Sequence, residues 1–136
     1  MKVRRYTESD KAQTLSLWAE AFPDNPKHSQ PLAMLDAKLK VDDLIFVTEY
    51  QGEIVGVCMA GYDGHRGWLY AVAVSTKHRR LGIGKTLVEY AVDALQQLGC
   101  IKVNLQVRDT NHQVAEFYQS LGFEVEPRIS MGKQLV

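Results

Sequence analysis

Arg79-Arg80-Leu81-Gly82-Ile83-Gly84-Lys85 gathers three cationic side chains and two glycines into one short stretch, a composition suited to holding phosphate. Glycine lets the backbone approach an anion and turn its N–H groups toward it. If a helix opens here, its unpaired amides and positive dipole end add to the attraction. The flanks predict that setting. Trp68-Leu69-Tyr70-Ala71-Val72-Ala73-Val74 is β-branched and aromatic and reads as a buried strand. Beyond the loop, Ile83, Leu87, Val88, Ala91, Leu95 and Leu98 recur at helical spacing, which predicts a helix opening at the second glycine. Strand, basic glycine loop and helix N-terminus together predict a phosphorylated small-molecule ligand.

Spacing separates the phosphate-binding patterns. Gly84-Lys85-Thr86 matches the end of a P-loop, but the glycine that motif needs further upstream is replaced by Arg79. A dinucleotide fingerprint needs a small residue where Leu87 stands. Arg79-x-x-Gly82-x-Gly84 behind a hydrophobic strand fits the pyrophosphate loop of the GNAT N-acetyltransferases, and the sequence resembles that family over nearly its whole length. Taken alone, the same residues could be a plain strand-to-helix turn with a basic first helical turn.

The elements that must position this loop follow from length and pattern. The 136 residues suffice for one domain, 1–136, with a single substantial core. Sixteen basic and sixteen acidic side chains cancel, which excludes a nucleic-acid binder built on a broad cationic surface. No apolar run is long enough to span a bilayer, and the N-terminus lacks a signal-peptide hydrophobic region, so no membrane partner and a cytoplasmic location are expected. Cys58 and Cys100 have no metal-ligand spacing and read as buried hydrophobes in a reducing compartment. His28, His65, His78 and His112 are scattered, so no metal site is expected.

Patterning predicts strands over 2–5, 44–49, 54–60, 68–74 and 101–107, and a final strand pair over 123–135 despite Pro127 and Gly132. It predicts helices from Asp10, as a cap, to Phe22, over 32–40, through the loop-proximal segment to Gly99, and from Asn111 to Leu121. The resulting order, β-α-α-β-β-β-α-β-α-β-β, predicts an α/β (mixed α+β) fold: a central mixed sheet with helices on both faces. The resemblance to GNAT proteins implies a mostly antiparallel sheet whose fourth and fifth strands splay apart to admit the cofactor's pantetheine arm.

The resemblance also implies roles. The cofactor would be acetyl-CoA, used as a co-substrate, and the partner an amine acceptor. Backbone groups of Val72, Ala73 and Val74 would line the pantetheine, and the Val72 N–H would polarise the thioester carbonyl. The amides of Arg80, Leu81, Gly82, Ile83, Gly84 and Lys85 would take the pyrophosphate, with Arg79 beside them. Ala115-Glu116-Phe117-Tyr118-Gln119-Ser120-Leu121-Gly122-Phe123 resembles a second family signature, in which the Tyr protonates the departing thiolate. Asn111 would contact the cofactor arm. By periodicity alone, Val114, Phe117, Tyr118 and Leu121 form a buried helix face, Asn111 a helix cap, and residues 72–74 a paired core strand.

Gln106 stands where several GNAT enzymes carry a Glu general base. Glutamine cannot accept a proton at neutral pH, so either water relays the proton to another group (Glu20, Asp63 and Tyr70 are candidates) or the acceptor amine is easily deprotonated. A peptide α-amine titrates near pH 8, which tilts the expectation toward such an amine. Asp63-Gly64-His65-Arg66-Gly67, with Gly61 and Tyr62, resembles a stretch of the bacterial YpeA-like acetyltransferases. It reads as a hairpin turn, with substrate contact by His65 and Arg66 the alternative. The segment 22–30 would form one wall of the acceptor site. The leading expectation is an N-acetyltransferase, monomeric or homodimeric. The alternatives are a non-catalytic acyl-CoA sensor and a different phosphate-ligand binder.

Overall fold

The structure, a computed structural model, describes residues 1–136, which fall into two compact units, 1–105 and 106–136. The first unit runs β1 (Lys2–Arg5), α1 (Lys11–Ala21), α2 (Pro31–Leu39), β2 (Ile45–Tyr50), β3 (Glu53–Tyr62), β4 (Gly67–Val74), α3 (Ile83–Gln97) and β5 (Val103–Asn104). The second holds α4 (His112–Ser120). The strands form one sheet in chain order. Its first three pairings are antiparallel, and β4 with β5 is parallel.

Alternation along β2 and β3 divides the core between the two faces. Ile45, Val47, Val57 and Met59 pack with Leu17 and Trp18 of α1 and Leu35 of α2. On the other face lies α3, buried through Ile83, Leu87, Val88, Ala91 and Leu95. Gly56 permits its close approach, since a Cβ there would stand 3.0 Å from Ile83 and 3.4 Å from Leu87. The β2–β3 hairpin closes on Gln51 and Gly52, both at positive φ, the conformation that a two-residue loop needs to match strand twist.

Four expectations need correction. The helix after the basic loop begins at Ile83, not Gly84, because Gly82 takes the cap position in a left-handed conformation with φ 74°. The strand over 101–107 shrinks to Val103–Asn104, since only those residues find partners on β4. No strand pair forms over 123–135. Pro127 has no N–H to give a ladder, and the Arg128 amide instead donates to the Glu126 carbonyl at 2.8 Å, a three-residue turn centred on the proline.

Asp10 does not cap α1 with its side chain. It occupies the cap position of α1, but its carboxylate makes no bond to that helix. It accepts instead from the Thr7 amide at 2.8 Å and from both Arg4 guanidinium nitrogens at 2.8 and 2.9 Å. Arg4 also reaches Glu49, so β1, β2 and the entry to α1 share one ionic clamp. The Arg4 hydrogen bonds hold the buried Asp10 carboxyl below its ordinary range.

A folded-state value below the unfolded one, near 3.9, means stability that is complete above about pH 4 and is lost as pH falls through the folded value. Replacing Asp10 by Asn should therefore lower stability at pH 7 by about 1–3 kcal/mol. Thermal unfolding of both proteins from pH 2 to 7 checks this, and the difference should close in acid. A pH-independent difference would show that the carboxylate charge is not what stabilises the clamp.

Candidate functional site

In β4 the regular ladder breaks where the site residues lie. Val57 pairs with Ala73 and Met59 with Tyr70, so Ala71 and Val72 both stand opposite Cys58, a bulge. Ala71 has φ 48°, a left-handed conformation that costs a residue with a Cβ about 1 kcal/mol. Trp18, fully buried on α1, holds the kink by donating its indole N–H to the Ala71 carbonyl at 2.8 Å. A carbonyl and the next N–H point in opposite directions across a trans peptide. The Val72 N–H is therefore aimed away from Trp18.

The other edge of β4 is paired with β5 only at Gly67 and Trp68. From Leu69 to Val74 it has no strand beside it. That is an open edge with backbone groups available to an extended ligand.

Past β4, Ser75 continues the ladder through a 2.8 Å bond to the Val55 carbonyl, and His78 turns back on the Ser75 hydroxyl at 3.1 Å. Positive φ at Arg80 (70°) and Gly82 (74°) curls the chain tightly before α3. No backbone or side-chain acceptor takes the amides of Arg79, Arg80, Leu81, Gly82, Ile83, Gly84 or Lys85. Backbone donors are almost always paired unless water or a ligand takes them, and loops of this kind gather consecutive amides into an anion-binding hollow. The exposed Arg79, Arg80 and Lys85 add full charges. The first intrahelical bonds of α3 begin at Thr86, whose amide and hydroxyl both reach the Gly82 carbonyl. The residues present fit a pyrophosphate.

The three candidate bases are poorly tuned to accept a proton near neutrality. The Thr76 hydroxyl donates to Glu20 at 2.8 Å and holds that carboxyl below its ordinary range. The amides of Arg66 and His65 do the same for Asp63, each bonding Oδ1 at 2.7 Å. Those bonds make the Asp63 segment the hairpin turn that its sequence suggests. Burial, with the Asp63 charge second, pushes the Tyr70 phenol up.

In the second unit, Asn111 Oδ1 accepts from the Val114 amide, the cap of α4. Tyr118 is buried, its ring edge-on to Phe117 at 5.0 Å and Phe123 at 5.6 Å. The Phe123 amide bonds the Tyr118 carbonyl and the Gly122 amide bonds the Gln119 carbonyl, with Gly122 at φ 95°. This is the Schellman end of a helix, with its usual apolar contact between the last residue and the third from the end. The Tyr-x-x-x-Gly-Phe spacing thus has a folding reason of its own. The Gln106 side chain is held by the Ser130 hydroxyl.

The model of the acetyltransferase (GNAT) family matches residues 11–123. The chain belongs to the GNAT family. An acetyltransferase of Pectobacterium atrosepticum is 36% identical over 137 aligned positions, covering all of this chain and 96% of its own. Among solved structures, an aminoglycoside N-acetyltransferase in complex with CoA superposes with a TM-score of 0.82 at 20% identity, over 98% of this chain and 93% of that one. A ribosomal-protein-alanine N-acetyltransferase from Brucella melitensis gives 0.75 at 21% identity, over 91% and 85%. This GNAT acetyltransferase is therefore an enzyme of the N-acetyl-transferring class, with the family fold.

Trp18 supports the site, whereas in the sequence it stands only as one residue of an apolar helix face. A buried indole N–H must find an acceptor, which was the available signal, but its partner lies 53 residues away. The Glu20–Thr76 bond between α1 and the turn after β4 was equally out of reach.

Proposed function

We propose that this GNAT enzyme transfers the acetyl group of acetyl-CoA to a primary amine by direct attack in a ternary complex, as a single domain over 1–136. The observation that carries the reading is the run of seven loop amides without an acceptor, beside an open β4 edge. Amides of Arg80, Leu81, Gly82, Ile83, Gly84 and Lys85 would take the pyrophosphate, aided by Arg79. Val72, Ala73 and Val74 would line the pantetheine, with Asn111 contacting the same arm.

The Val72 N–H, turned away from Trp18 by the kink, would stabilise the oxyanion. The amine nitrogen forms its bond to the carbonyl carbon, the C–S bond breaks, and the Tyr118 phenol protonates the leaving thiolate. We place the enzyme in the cytoplasm, as a monomer or homodimer. Its two buried cysteines, Cys58 with a thiol pushed up to about 12 by burial, are free, in keeping with a reducing compartment.

The acceptor is read as a low-pKa amine, a peptide α-amine before other amines. Gln106 offers no base, both candidate carboxylates are held below their ordinary range, and the Tyr70 phenol is held above its own. The rate should then follow the fraction of acceptor already present as free amine. On an α-amine peptide, log(kcat/KM) should rise with pH and level off near the substrate's own pKa, about 8. Substituting an acceptor of different pKa should move the plateau with it, and Gln106→Glu should help most below that pH. A plateau well below the substrate pKa, unmoved by changing the substrate, would reveal an enzymic base and remove the preference for low-pKa amines.

A further inference from the structure

Just before the kink, β4 carries two aromatic residues on one face. Tyr70 stands opposite Met59 and Trp68 opposite Gly61, so both rings lie on the side of the sheet that α1 and α2 cover. The cover does not extend over them. Tyr70 is 48% exposed and Trp68 half-buried, although Ile45, Val47, Val57 and Met59 on the same face are core. The rings are stacked with centroids 6.5 Å apart and planes 23° from parallel. The Tyr70 ring lies over Gly61, where a Cβ would make ordinary contact with it at 3.5 Å. Asp63, ionised and held in place by two backbone amides, projects its charge onto Tyr70 from the β3–β4 turn. The nearest cation of that turn, Arg66, directs its guanidinium to the His65 ring at 3.4 Å.

Aromatic ring faces are electronegative, and the Asp63 carboxylate, close enough to act on Tyr70, has the same sign. Stem and charge of a basic side chain complement that surface, with the carbon chain on the rings and the cation over them or against Asp63. Along β4, Tyr70 is one residue from Ala71 and two from Val72, whose N–H the proposed chemistry uses.

We infer that Trp68 and Tyr70, with Asp63, form an acceptor-docking platform selective for amines that carry a second positive charge close to the one acetylated. The inference rests on the acetyl-transfer reading for its biological meaning, but the recognition itself can be measured without turnover. Oligocationic small molecules and peptides with a basic residue next to a free N-terminus share this chemistry.

The test uses two matched pairs: a peptide with Arg or with citrulline after its free N-terminal residue, and putrescine against butylamine. Calorimetric titration into the full-length enzyme, with acetyl-CoA transfer followed in parallel, reads both levels. The charged member of at least one pair should be favoured about tenfold in affinity and in kcat/KM, and which pair shows it separates the two sources. Tyr70→Leu and Asp63→Asn should each bring the ratio toward one without changing the KM for acetyl-CoA, whereas Tyr70→Phe keeps it. Should Tyr70→Leu fail to fold, Asp63→Asn and Trp68→Leu carry the same test.

Equal affinity for charged and neutral members of both pairs overturns the platform, as does a preference that survives these substitutions. Absence of free thiol with every amine, in a folded enzyme, would instead count against acetyl transfer, with the titrations still deciding the platform.

Discussion

Replacing Gly84 by Trp should abolish measurable acetyl-CoA binding while leaving the first unit folded. Gly84 lies in the first turn of α3, among the amides that have no protein acceptor. An indole there would crowd the space where those amides meet phosphate. A hydrogen bond to a charged group contributes about 1.5 kcal/mol or more, so losing three removes about 4.5 kcal/mol, over a thousandfold in affinity. The helix keeps its anchors, because Ile83 and Leu87 are buried beneath it and Gly82 remains the cap. Isothermal titration of wild type and variant, with thermal unfolding as the folding control, checks both halves. Unchanged affinity in a folded Gly84→Trp protein would mean that the pyrophosphate lies elsewhere.

Changing Tyr118 to Phe should lower turnover about a hundredfold and leave cofactor affinity nearly unchanged. The substitution keeps a ring in the same buried place, edge-on to Phe117 and Phe123, so the packing that ends α4 survives. What goes is the phenolic proton. Losing a positioned acid costs 10²–10⁴-fold in the chemical step, and the lower end is expected where water can substitute. Pre-steady-state kinetics on an amine that the wild-type enzyme acetylates would make the comparison on the chemical step itself. Full turnover in the variant would assign Tyr118 to the helix stop alone, a role that the bonds of its carbonyl with the Leu121 and Phe123 amides already give it.

Two reasons for one signature show where sequence is informative and where it is not. The basic loop was legible because its chemistry is local. A hydrophobic strand, positive charge, glycine at a left-handed position and a helical period all lie within one short stretch, and the structure displaces only the helix start by one residue. The order of elements through the fifth strand and the placement of helices on both faces were legible for a similar reason, since period and turn residues mark each element. The β4 bulge was not legible. Ala71 is an unremarkable strand residue until Trp18, from a helix far earlier in the chain, claims its carbonyl.

Asp10 shows the same limit from the other side. Its position before an apolar helix reads as a cap, but Arg4 of the neighbouring strand offers a charged, bidentate partner that outweighs one amide. The segment over 123–135 alternates apolar and polar residues as a strand would, and local pattern alone gives no way to see that it lacks a ladder. Pro127 was the warning, and the tight turn centred on it is the outcome.

The loop and the open β4 edge are proposed to hold acetyl-CoA for transfer to an amine. The most direct measurement follows acetyl-labelled acetyl-CoA with the wild-type enzyme and a panel of free N-terminal peptides, lysine peptides, polyamines and aminoglycosides. Label appearing in one class of amine, matched mole for mole by free CoA thiol and lost in Gly84→Trp, is the predicted result. Tight acetyl-CoA binding with no thiol released for any amine would contradict transfer and leave a sensor. ATP binding in place of acetyl-CoA would contradict the site itself.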